Sequence, residues 1–350
     1  MEYRNLGRSG LKVSVFSFGA MTFGDGSGIF ASVGDTRGED ARLQIDMCLD
    51  AGVNLFDTAD VYTDGQSEEL LGEILGPRRK DVLIATKCLG RTGPGVNDLG
   101  SSRKHVVEAC EASLKRLKTD YIDLYQIHNQ DLDVPIEETL RALDDLVRDG
   151  KVRYIGSSNH SGWTKMRALA TSDRLGLTRY VSQQIRYSLL DRVSENELMP
   201  LGHYEGVGAL IWSPLASGYL SGKFRKDGDA SGTRLGSRGG SLDALDNERT
   251  HRIMDAVEEI AAAHPGSSSS QVALNWLARK AGVTSIIIGA RTTAQLQDNL
   301  GAATWSLGDA EMAMLDAASA TAPIYPYDMH QAFTAGRSPA LPMQPAGSGD

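Results

Sequence analysis

Eight short runs rich in β-branched and apolar residues alternate along this chain with longer segments of helical periodicity. The runs are Val13–Phe18, Asn54–Asp57, Val82–Lys87, Ile122–His128, Val152–Ser158, Tyr180–Tyr187, Ala209–Ser213 and Ser285–Gly289. Runs such as VLIATK and TSIIIGA are almost continuously apolar, which is typical of parallel strands buried on both faces. Eight strand–helix units in 350 residues therefore favour an α/β chain folded as a closed (β/α)8 TIM barrel over an open doubly wound sheet.

Helical spacing fills the intervals between these runs. Representative segments are Ala41–Ala51, Lys104–Leu117, Ile136–Asp149 and Gln271–Lys280. Ahead of the first run, Tyr3–Leu6 and Leu11–Val13 flank a Gly-Arg-Ser-Gly turn. This pattern predicts an N-terminal β-hairpin, which we expect to cover the N-terminal end of the barrel.

Several segments exceed a minimal barrel. They are the loop Asp25–Asp40, the Gly/Ser/Arg-rich stretch Ser217–Asp246, an extra helix at His251–His264 after the seventh strand, and another helix at Asp309–Ala320 after the eighth unit. A loop as long as Ser217–Asp246 in a compact domain is usually either a functional lid or a disordered excursion. We expect one barrel domain over residues 1–320, with long loops at its active site. The tail over residues 321–350 is expected to lie partly over the pocket and to be disordered at its end.

Charge and cysteine usage limit the partners. The net charge of −9 argues against nucleic acid as the main partner, because phosphate binding needs a basic surface. No apolar stretch reaches the length of about 18 residues that a membrane span requires, and the N-terminus lacks the apolar core of a secretion signal. Three cysteines without a CxxC pair fit free thiols. We expect a cytoplasmic protein without a membrane partner.

Four side chains that could take part in catalysis lie at or just after the ends of predicted strands. Asp57 ends the second run and Tyr62 follows it, Lys87 ends the third run, and His128 ends the fourth. In a parallel barrel the carboxyl ends of the strands face one mouth, where catalytic groups lie. Each residue alone would usually be a packing or solvated side chain, but together they favour a catalytic site.

These four residue types suit carbonyl chemistry. Free tyrosine has a pKa of about 10, too high for an efficient proton donor, and a nearby ammonium lowers that pKa. Asp57 would pair with Lys87 and limit the cost of burying its charge. His128 would donate a hydrogen bond to a carbonyl oxygen. None of them donates hydride, so a cofactor must supply it.

The spacing of glycine, histidine and cysteine residues argues against two kinds of cofactor site. No GxGxxG follows a strand, which argues against a Rossmann dinucleotide domain. The seven histidines and three cysteines do not have the spacing of a zinc site, so no metal is expected.

Eight motifs in order resemble those of the aldo-keto reductases. They are YRNLGRSGLKVSVFSFGAMTFG, NLFDTADVY, IATK, YIDLYQIHNQD, GKVRYIGSSN, QQIRYSLL, WSPLASGYLSGKF and IIGARTTAQLQDNL. These motifs are similar to those of the branch that contains bacterial reductases and potassium-channel β-subunits. The resemblance implies a TIM barrel with an NADP(H) site in its mouth and an Asp57, Tyr62, Lys87 and His128 tetrad.

The same resemblance implies which residues hold NADPH or NADP+. Ser158, Asn159 and Gln184 would hold the nicotinamide carboxamide, and Trp212 would stack on its ring. A guanidinium at Arg291, beside a helix N-terminus, suits a 2′-phosphate and so favours NADPH over NADH. The full set implied at the cofactor is Gly19, Ala20, Met21, Asp57, Ser158, Asn159, Gln184, Trp212, Ser213, Pro214, Leu215, Ala216, Gly218, Lys223, Arg234, Gly289, Arg291, Gln295, Asp298 and Asn299.

The implied function is NADPH-dependent reduction of an aldehyde or ketone by hydride transfer, with Tyr62 as general acid. The partner would be a small carbonyl compound, and both a monomer and a homo-oligomer are compatible with the family. Two alternatives stay open. One is an NADP-binding regulatory subunit with vestigial turnover. The other is NADP-dependent oxidation of an alcohol, the same reaction in reverse. The sequence does not identify the substrate.

Overall fold

Eight parallel strands close into a barrel in the computed structural model, which describes residues 1–26, 33, 35–222 and 247–334. The strands in chain order are β1 (Tyr3–Asn5), β2 (Lys12–Ser14), β3 (Phe16–Gly19), β4 (Leu55–Asp57), β5 (Leu83–Cys88), β6 (Ile122–Ile127), β7 (Val152–Ser158), β8 (Tyr180–Arg186), β9 (Gly208–Trp212) and β10 (Val283–Ile288). Strands β3 to β10 follow one another around the barrel, and β10 closes it by pairing with β3. The predicted TIM barrel is confirmed.

Helices follow the barrel strands and cover them. They are α1 (Gly38–Asp50), α2 (Gln66–Leu75), α3 (Arg103–Arg116), α4 (Ile136–Arg148), α5 (Gly162–Leu175), α6 (Leu198–Glu205), α7 (Glu248–Ala263), α8 (Ser269–Arg279), α9 (Thr293–Gly301), α10 (Asp309–Ser319) and α11 (Tyr327–Thr334). Polar side chains mark several starts: Ser102 accepts from the His105 amide, Asn247 from that of Thr250, and Thr292 from that of Gln295. Such caps satisfy amides that have no partner within the helix.

Side-chain alternation within the strands decides what faces the barrel interior. Leu55, Ala85 and Leu124 pack with Leu6 and Val13 in a small apolar cluster at the floor of the barrel. Because strand side chains alternate with a period of two, the residue two places after each of the first three points the same way. Those residues are Asp57, Lys87 and Gln126. Strands β4, β5 and β6 thus each carry an inward apolar residue near the floor of the barrel and an inward polar residue nearer its mouth.

The N-terminal hairpin covers the floor of the barrel, as predicted. β1 and β2 pair antiparallel, and Arg4 Nη1 donates to the carbonyl oxygen of Val283 at 2.7 Å. At the turn, Gly7 has a φ of +59°, and a Cβ there would lie 2.4 Å from the Gly206 carbonyl oxygen. Only glycine fits this close approach.

One strand boundary is wrong in the prediction from sequence. The run Val13–Phe18 is two strands, because β2 belongs to the hairpin and β3 to the barrel, with Val15 between them. Both segments are buried, so the apolar pattern runs through the break. From β4 to β10 the strands lie where the sequence predicts them, with ends that differ by at most two residues.

The extra helices after the seventh and eighth units are present as α7 and α10. Arg249 of α7 donates to the Ser319 carbonyl oxygen at 2.7 Å, which fastens these two helices together. Helix α11 in the tail was not expected, and Tyr327 Oη donates to Glu197 Oε1 at 2.6 Å. Most of the stretch Ser217–Asp246 and the end of the tail lie outside the described residues. None of the helices in the described part is both long and apolar enough to cross a membrane.

Candidate active site

Lys87 and Asp57 meet at the mouth of the barrel, at the carboxyl ends of neighbouring strands. Lys87 is fully buried, and its Nζ donates to Asp57 Oδ1 at 2.5 Å and to the Thr58 carbonyl oxygen at 2.7 Å. The third partner is Tyr62, whose Oη lies 3.2 Å from the same nitrogen. All three protons of an ammonium therefore have an acceptor, as a buried charge requires.

The charge state of Lys87 follows from these partners. Burial acts to lower the pKa of the ammonium, but the charges and hydrogen bonds of Asp57 and Tyr62 outweigh burial and raise it. Lys87 is therefore a cation at neutral pH. The site holds a fixed positive charge next to a phenol oxygen.

Tyr62 reaches the site from a tight turn after β4. The turn Tyr62–Gly65 has left-handed residues at Thr63 (φ 47°) and Asp64 (φ 53°), and it leads directly into α2. Tyr62 is only 8% exposed and lines the cavity described below. Its ring meets the imidazole of His128 edge-on, with the ring centroids 5.8 Å apart.

His128 stands just beyond β6, where its amide donates to the Cys88 carbonyl oxygen at 2.9 Å. Burial and the positive charge of Lys87 lower the pKa of His128 to about 3. The imidazole is thus neutral at physiological pH. A neutral imidazole carries one N–H and can donate a hydrogen bond into the cavity without adding charge.

Asp57 has a second set of partners that the sequence did not suggest. Its Oδ2 accepts from Gln184 Nε2 at 2.8 Å and from Gln126 Nε2 at 3.3 Å. Gln184 was expected only at the nicotinamide. Gln126 was not expected in the site, because an uncharged amide within an apolar strand carries no distinctive signal. Its inward position, two residues after Leu124, is the one feature that would have pointed to it.

A cavity of about 650 Å³ opens above these residues at the mouth of the barrel. Most of the residues predicted at the cofactor line it: Gly19, Met21, Asp57, Ser158, Asn159, Gln184, Trp212, Ser213, Pro214, Leu215, Gly218, Gly289, Arg291, Gln295, Asp298 and Asn299. Tyr62 and His128 line it as well. Ala20 and Ala216 are not among the lining residues, and Lys223 and Arg234 lie outside the described residues.

Some residues of the lining are not among those predicted from the sequence. These are Thr22, Ser217, Ser221, Ser270, Ile287, Ile288, Ala290 and Ala294. Most of them adjoin a predicted residue in the chain. Ser270 is different, because it comes from the first turn of α8 and no motif pointed to it.

The polar groups around the cavity fit an extended dinucleotide. Near the tetrad, the indole N–H of Trp212 donates to Asn159 Oδ1 at 3.1 Å, which sets an aromatic ring beside amide groups. The loop after β9 turns sharply, with left-handed residues at Ser213 (φ 55°), Ser217 (φ 59°) and Gly218 (φ 93°). At the far end, Arg291 lies just before α9, where amides at a helix start favour anions.

Asp298, at that far end, is held by a chain of hydrogen bonds from outside the cavity. Its two carboxylate oxygens accept from Ser268 Oγ at 2.8 Å and from Gln271 Nε2 at 3.0 Å. The Gln271 side chain is oriented in turn, since its Oε1 accepts from Trp305 Nε1 at 3.0 Å. Both oxygens are thus engaged, and the carboxylate has a defined orientation.

Comparison with known proteins assigns the chain to a family. The sequence model of the aldo/keto reductase family matches residues 16–320. A probable voltage-gated potassium channel subunit beta from Arabidopsis thaliana is 39% identical over 313 residues, which cover 86% of this chain and 91% of that protein. An uncharacterized oxidoreductase, YrpG, from Bacillus subtilis is 37% identical over 329 residues, or 90% and 95% of the two chains. The chain belongs to the aldo/keto reductase family of NADP(H)-dependent oxidoreductases, in the branch that is similar to the potassium-channel β-subunits.

Proposed function

We propose that this chain reduces an aldehyde or ketone to the alcohol with NADPH, and that Tyr62 protonates the carbonyl oxygen. The observation that carries this proposal is the Lys87 ammonium, buried 2.5 Å from Asp57 Oδ1 and 3.2 Å from Tyr62 Oη at the edge of the cavity. Tyr62 in this position can supply the proton, and the positive charge of Lys87 favours release of that proton from the phenol.

Proton donation from Tyr62 leaves a phenolate, which the nearby ammonium stabilises. Because Lys87 is already charged before the reaction, no solvent or side chain has to reorganise as the phenolate forms. Asp57 keeps the ammonium in place and offsets the cost of its burial. Tyr62 is therefore the general acid, Lys87 tunes it, and Asp57 holds Lys87.

His128 would orient the substrate. It lies beside Tyr62 on the cavity wall and is neutral at physiological pH. A neutral N–H donor can hold the carbonyl oxygen and stabilise negative charge that develops on it. With Tyr62 on one side and His128 on the other, the oxygen would have two donors.

NADPH would be held along the cavity by residues that line it. Ser158, Asn159 and Gln184 suit the carboxamide, Trp212 offers a ring face, and Arg291 suits the 2′-phosphate. The bound cofactor supplies the hydride that none of the chain's own groups can give. The far-end carboxylate of Asp298, fixed by Ser268 and Gln271, suits the hydroxyls or amine of the adenosine.

The test is NADPH consumption, followed at 340 nm, with a panel of aldehydes, ketones and keto-sugars. We expect saturable turnover of at least one member. NADPH binding without turnover of any member would contradict reduction of these carbonyl classes. Running the panel in reverse, with NADP+ and the corresponding alcohols, measures the second direction in the same preparation.

A regulatory subunit is the second candidate function, because the relative from Arabidopsis thaliana carries the name of a channel subunit. Under that proposal the cavity would bind NADP(H) and a partner would sense the bound state. Stable co-purification of a membrane protein, together with background turnover, would favour it. Asp57, Tyr62 and His128 on the cavity wall, with Lys87 bonded to Asp57 beneath it, support the enzyme instead.

We also propose that residues 1–320 act as one barrel domain and that the tail over residues 321–350 lies partly over the pocket. The contact between Tyr327 and Glu197 supports docking of the described part of the tail.

We further propose a reducing, cytoplasmic location. It is supported by Cys48, Cys88 and Cys110, which are buried free thiols.

A further inference from the structure

The two oxygens of the Asp57 carboxylate are used differently. Oδ1 accepts from Lys87, while Oδ2 accepts from the side-chain amides of Gln184 and Gln126. A carboxylate can only accept, so the Nε2 group of each glutamine must point toward it. The position of Asp57, and with it the position of Lys87, therefore depends on amide donors from β6 and β8.

The two glutamines differ in their access to the cavity. Gln184 lines the cavity, and its amide is shared with the proposed nicotinamide site. Gln126 is fully buried and is not among the lining residues. A ligand in the cavity would therefore contact Gln184 but not Gln126. Gln126 is the donor that holds Asp57 independently of the cofactor.

The fold makes a specific place for Gln126. It lies directly across from Lys87 in the pairing of β5 with β6, so these two inward side chains stand side by side. On the other side its register partner is Gly156, and a Cβ there would lie 3.3 Å from Gln126 Cγ. The missing side chain leaves room for the glutamine to lie across the mouth toward Asp57.

Gln126 also connects Asp57 with Gln184. Gln184 Nε2 lies 2.8 Å from Asp57 Oδ2 and 3.5 Å from Gln126 Oε1. Both protons of the Gln184 amide thereby have acceptors within the protein. The side-chain oxygen of Gln184 is left as the acceptor for a ligand amide.

We infer that Gln126 is a positioning residue for carbonyl reduction, which fixes the Asp57 carboxylate so that the Lys87 ammonium stays within reach of Tyr62. This inference rests on the proposed function. Gln126 touches neither substrate nor cofactor. It acts through Asp57, and its loss should slow hydride transfer without loosening NADPH.

The test compares Gln126→Met with Gln44→Met. Methionine matches the length of glutamine and removes the donor. Gln44 is a buried glutamine of α1 whose amide has no hydrogen-bond partner among the described residues, so it controls for the substitution itself. Three quantities are measured: the single-turnover rate, the isotope effect with NADPH deuterated at the transferred position, and NADPH affinity from tryptophan fluorescence.

For Gln126→Met we expect a single-turnover rate lower by roughly ten- to a hundredfold, the size of a lost hydrogen bond to a charged group. The isotope effect on kcat should rise, because the chemical step becomes more rate-limiting. NADPH affinity should stay near the wild-type value, and Gln44→Met should match the wild type throughout. An unchanged rate would overturn the inference. So would a lower rate with an unchanged isotope effect and weaker NADPH binding, which would indicate a structural role only.

A second readout separates this inference from the proposed function. Tyrosinate absorbance is titrated in each protein and in the same protein carrying Tyr62→Phe, and the difference isolates Tyr62. We expect ionisation of Tyr62 at higher pH in Gln126→Met than in the wild type, since its ammonium partner is held less firmly. No turnover with this shift present would sink the proposed function, and with it the role in carbonyl reduction, but would leave Gln126 as the residue that holds Asp57 and Lys87 beside Tyr62. No shift would overturn the inference even if the wild type is active.

Discussion

Lys87 Nζ lies 2.5 Å from Asp57 Oδ1, and both side chains are buried at the carboxyl ends of neighbouring strands. Each charge has the other as its main compensation. A buried pair of this kind contributes little net stability, but removal of one partner leaves an isolated charge in a dry environment. The pair therefore links the stability of the barrel mouth to its chemistry.

Replacement of Lys87 by Met should destabilise the protein by about 3 to 5 kcal/mol, because Asp57 is left buried and uncompensated. The free energy of unfolding in urea measures this loss. The double variant Asp57→Asn, Lys87→Met should lose less than the sum of the two single variants, since it leaves no isolated charge. Additive losses would contradict a direct pair.

Stability should fall with acid through His128. The pKa of this half-buried histidine is lowered to about 3 in the folded protein, against about 6.5 for an unfolded chain. Between these values the unfolded state binds the extra proton, so the free energy of unfolding decreases as pH falls through 6.5 toward 3. At pH 5 this lowers the free energy of unfolding by about 2 kcal/mol relative to its value at neutral pH.

Urea unfolding at pH 7 and pH 5 tests this, with His128→Asn as the comparison. The wild type should lose more stability on acidification than the variant does. The pKa of His160 is lowered as well, but His160 is present in both proteins and cancels in the difference. Equal losses in the two proteins would show that His128 is not held neutral by the fold.

Arg291 should set the preference for NADPH over NADH. Replacement by Ala should weaken NADPH binding by about tenfold, the order of one charge-assisted hydrogen bond, and leave NADH binding nearly unchanged. Fluorescence titration with each cofactor gives both affinities. Arg153→Ala is the control, because Arg153 lies near the start of β7, at the other end of the barrel. An equal loss for both cofactors would remove the 2′-phosphate assignment.

Gln271 should affect binding without affecting chemistry. It donates to Asp298 Oδ1 but lies outside the cavity lining, so Gln271→Leu frees one side of that carboxylate. We expect NADPH binding weaker by several-fold, in line with one hydrogen bond, and a kcat close to that of the wild type. Steady-state kinetics at saturating NADPH give kcat, and fluorescence gives the affinity. A fall in kcat at unchanged affinity would place the effect elsewhere.

Strand periodicity made much of the fold and of the tetrad predictable. Asp57 and Lys87 end apolar runs, and in a parallel barrel all such ends face one mouth. The prediction failed where the periodic pattern continues through a change of partner. Val15 lies between two buried strands that belong to different sheets, and nothing in its own residue type marks the break.

Contacts between distant segments were the other part that the sequence did not reveal. Gln126 reaches Asp57 from a strand 69 residues further on, and Gln271 reaches Asp298 across 27 residues. Neither glutamine lies in a charged or metal-like pattern. Helix α11 was missed for a local reason, since it is short and follows a segment that contains Pro323 and Pro326.

A single turnover with Tyr62→Phe tests whether Tyr62 is the acid. Wild type and variant are loaded with NADPH, mixed with a carbonyl that the wild type reduces, and followed at 340 nm. We expect the variant to bind NADPH as the wild type does but to transfer hydride about a hundredfold to ten-thousandfold more slowly, the usual contribution of a general acid. Hydride transfer at the wild-type rate, with NADPH bound, would contradict it.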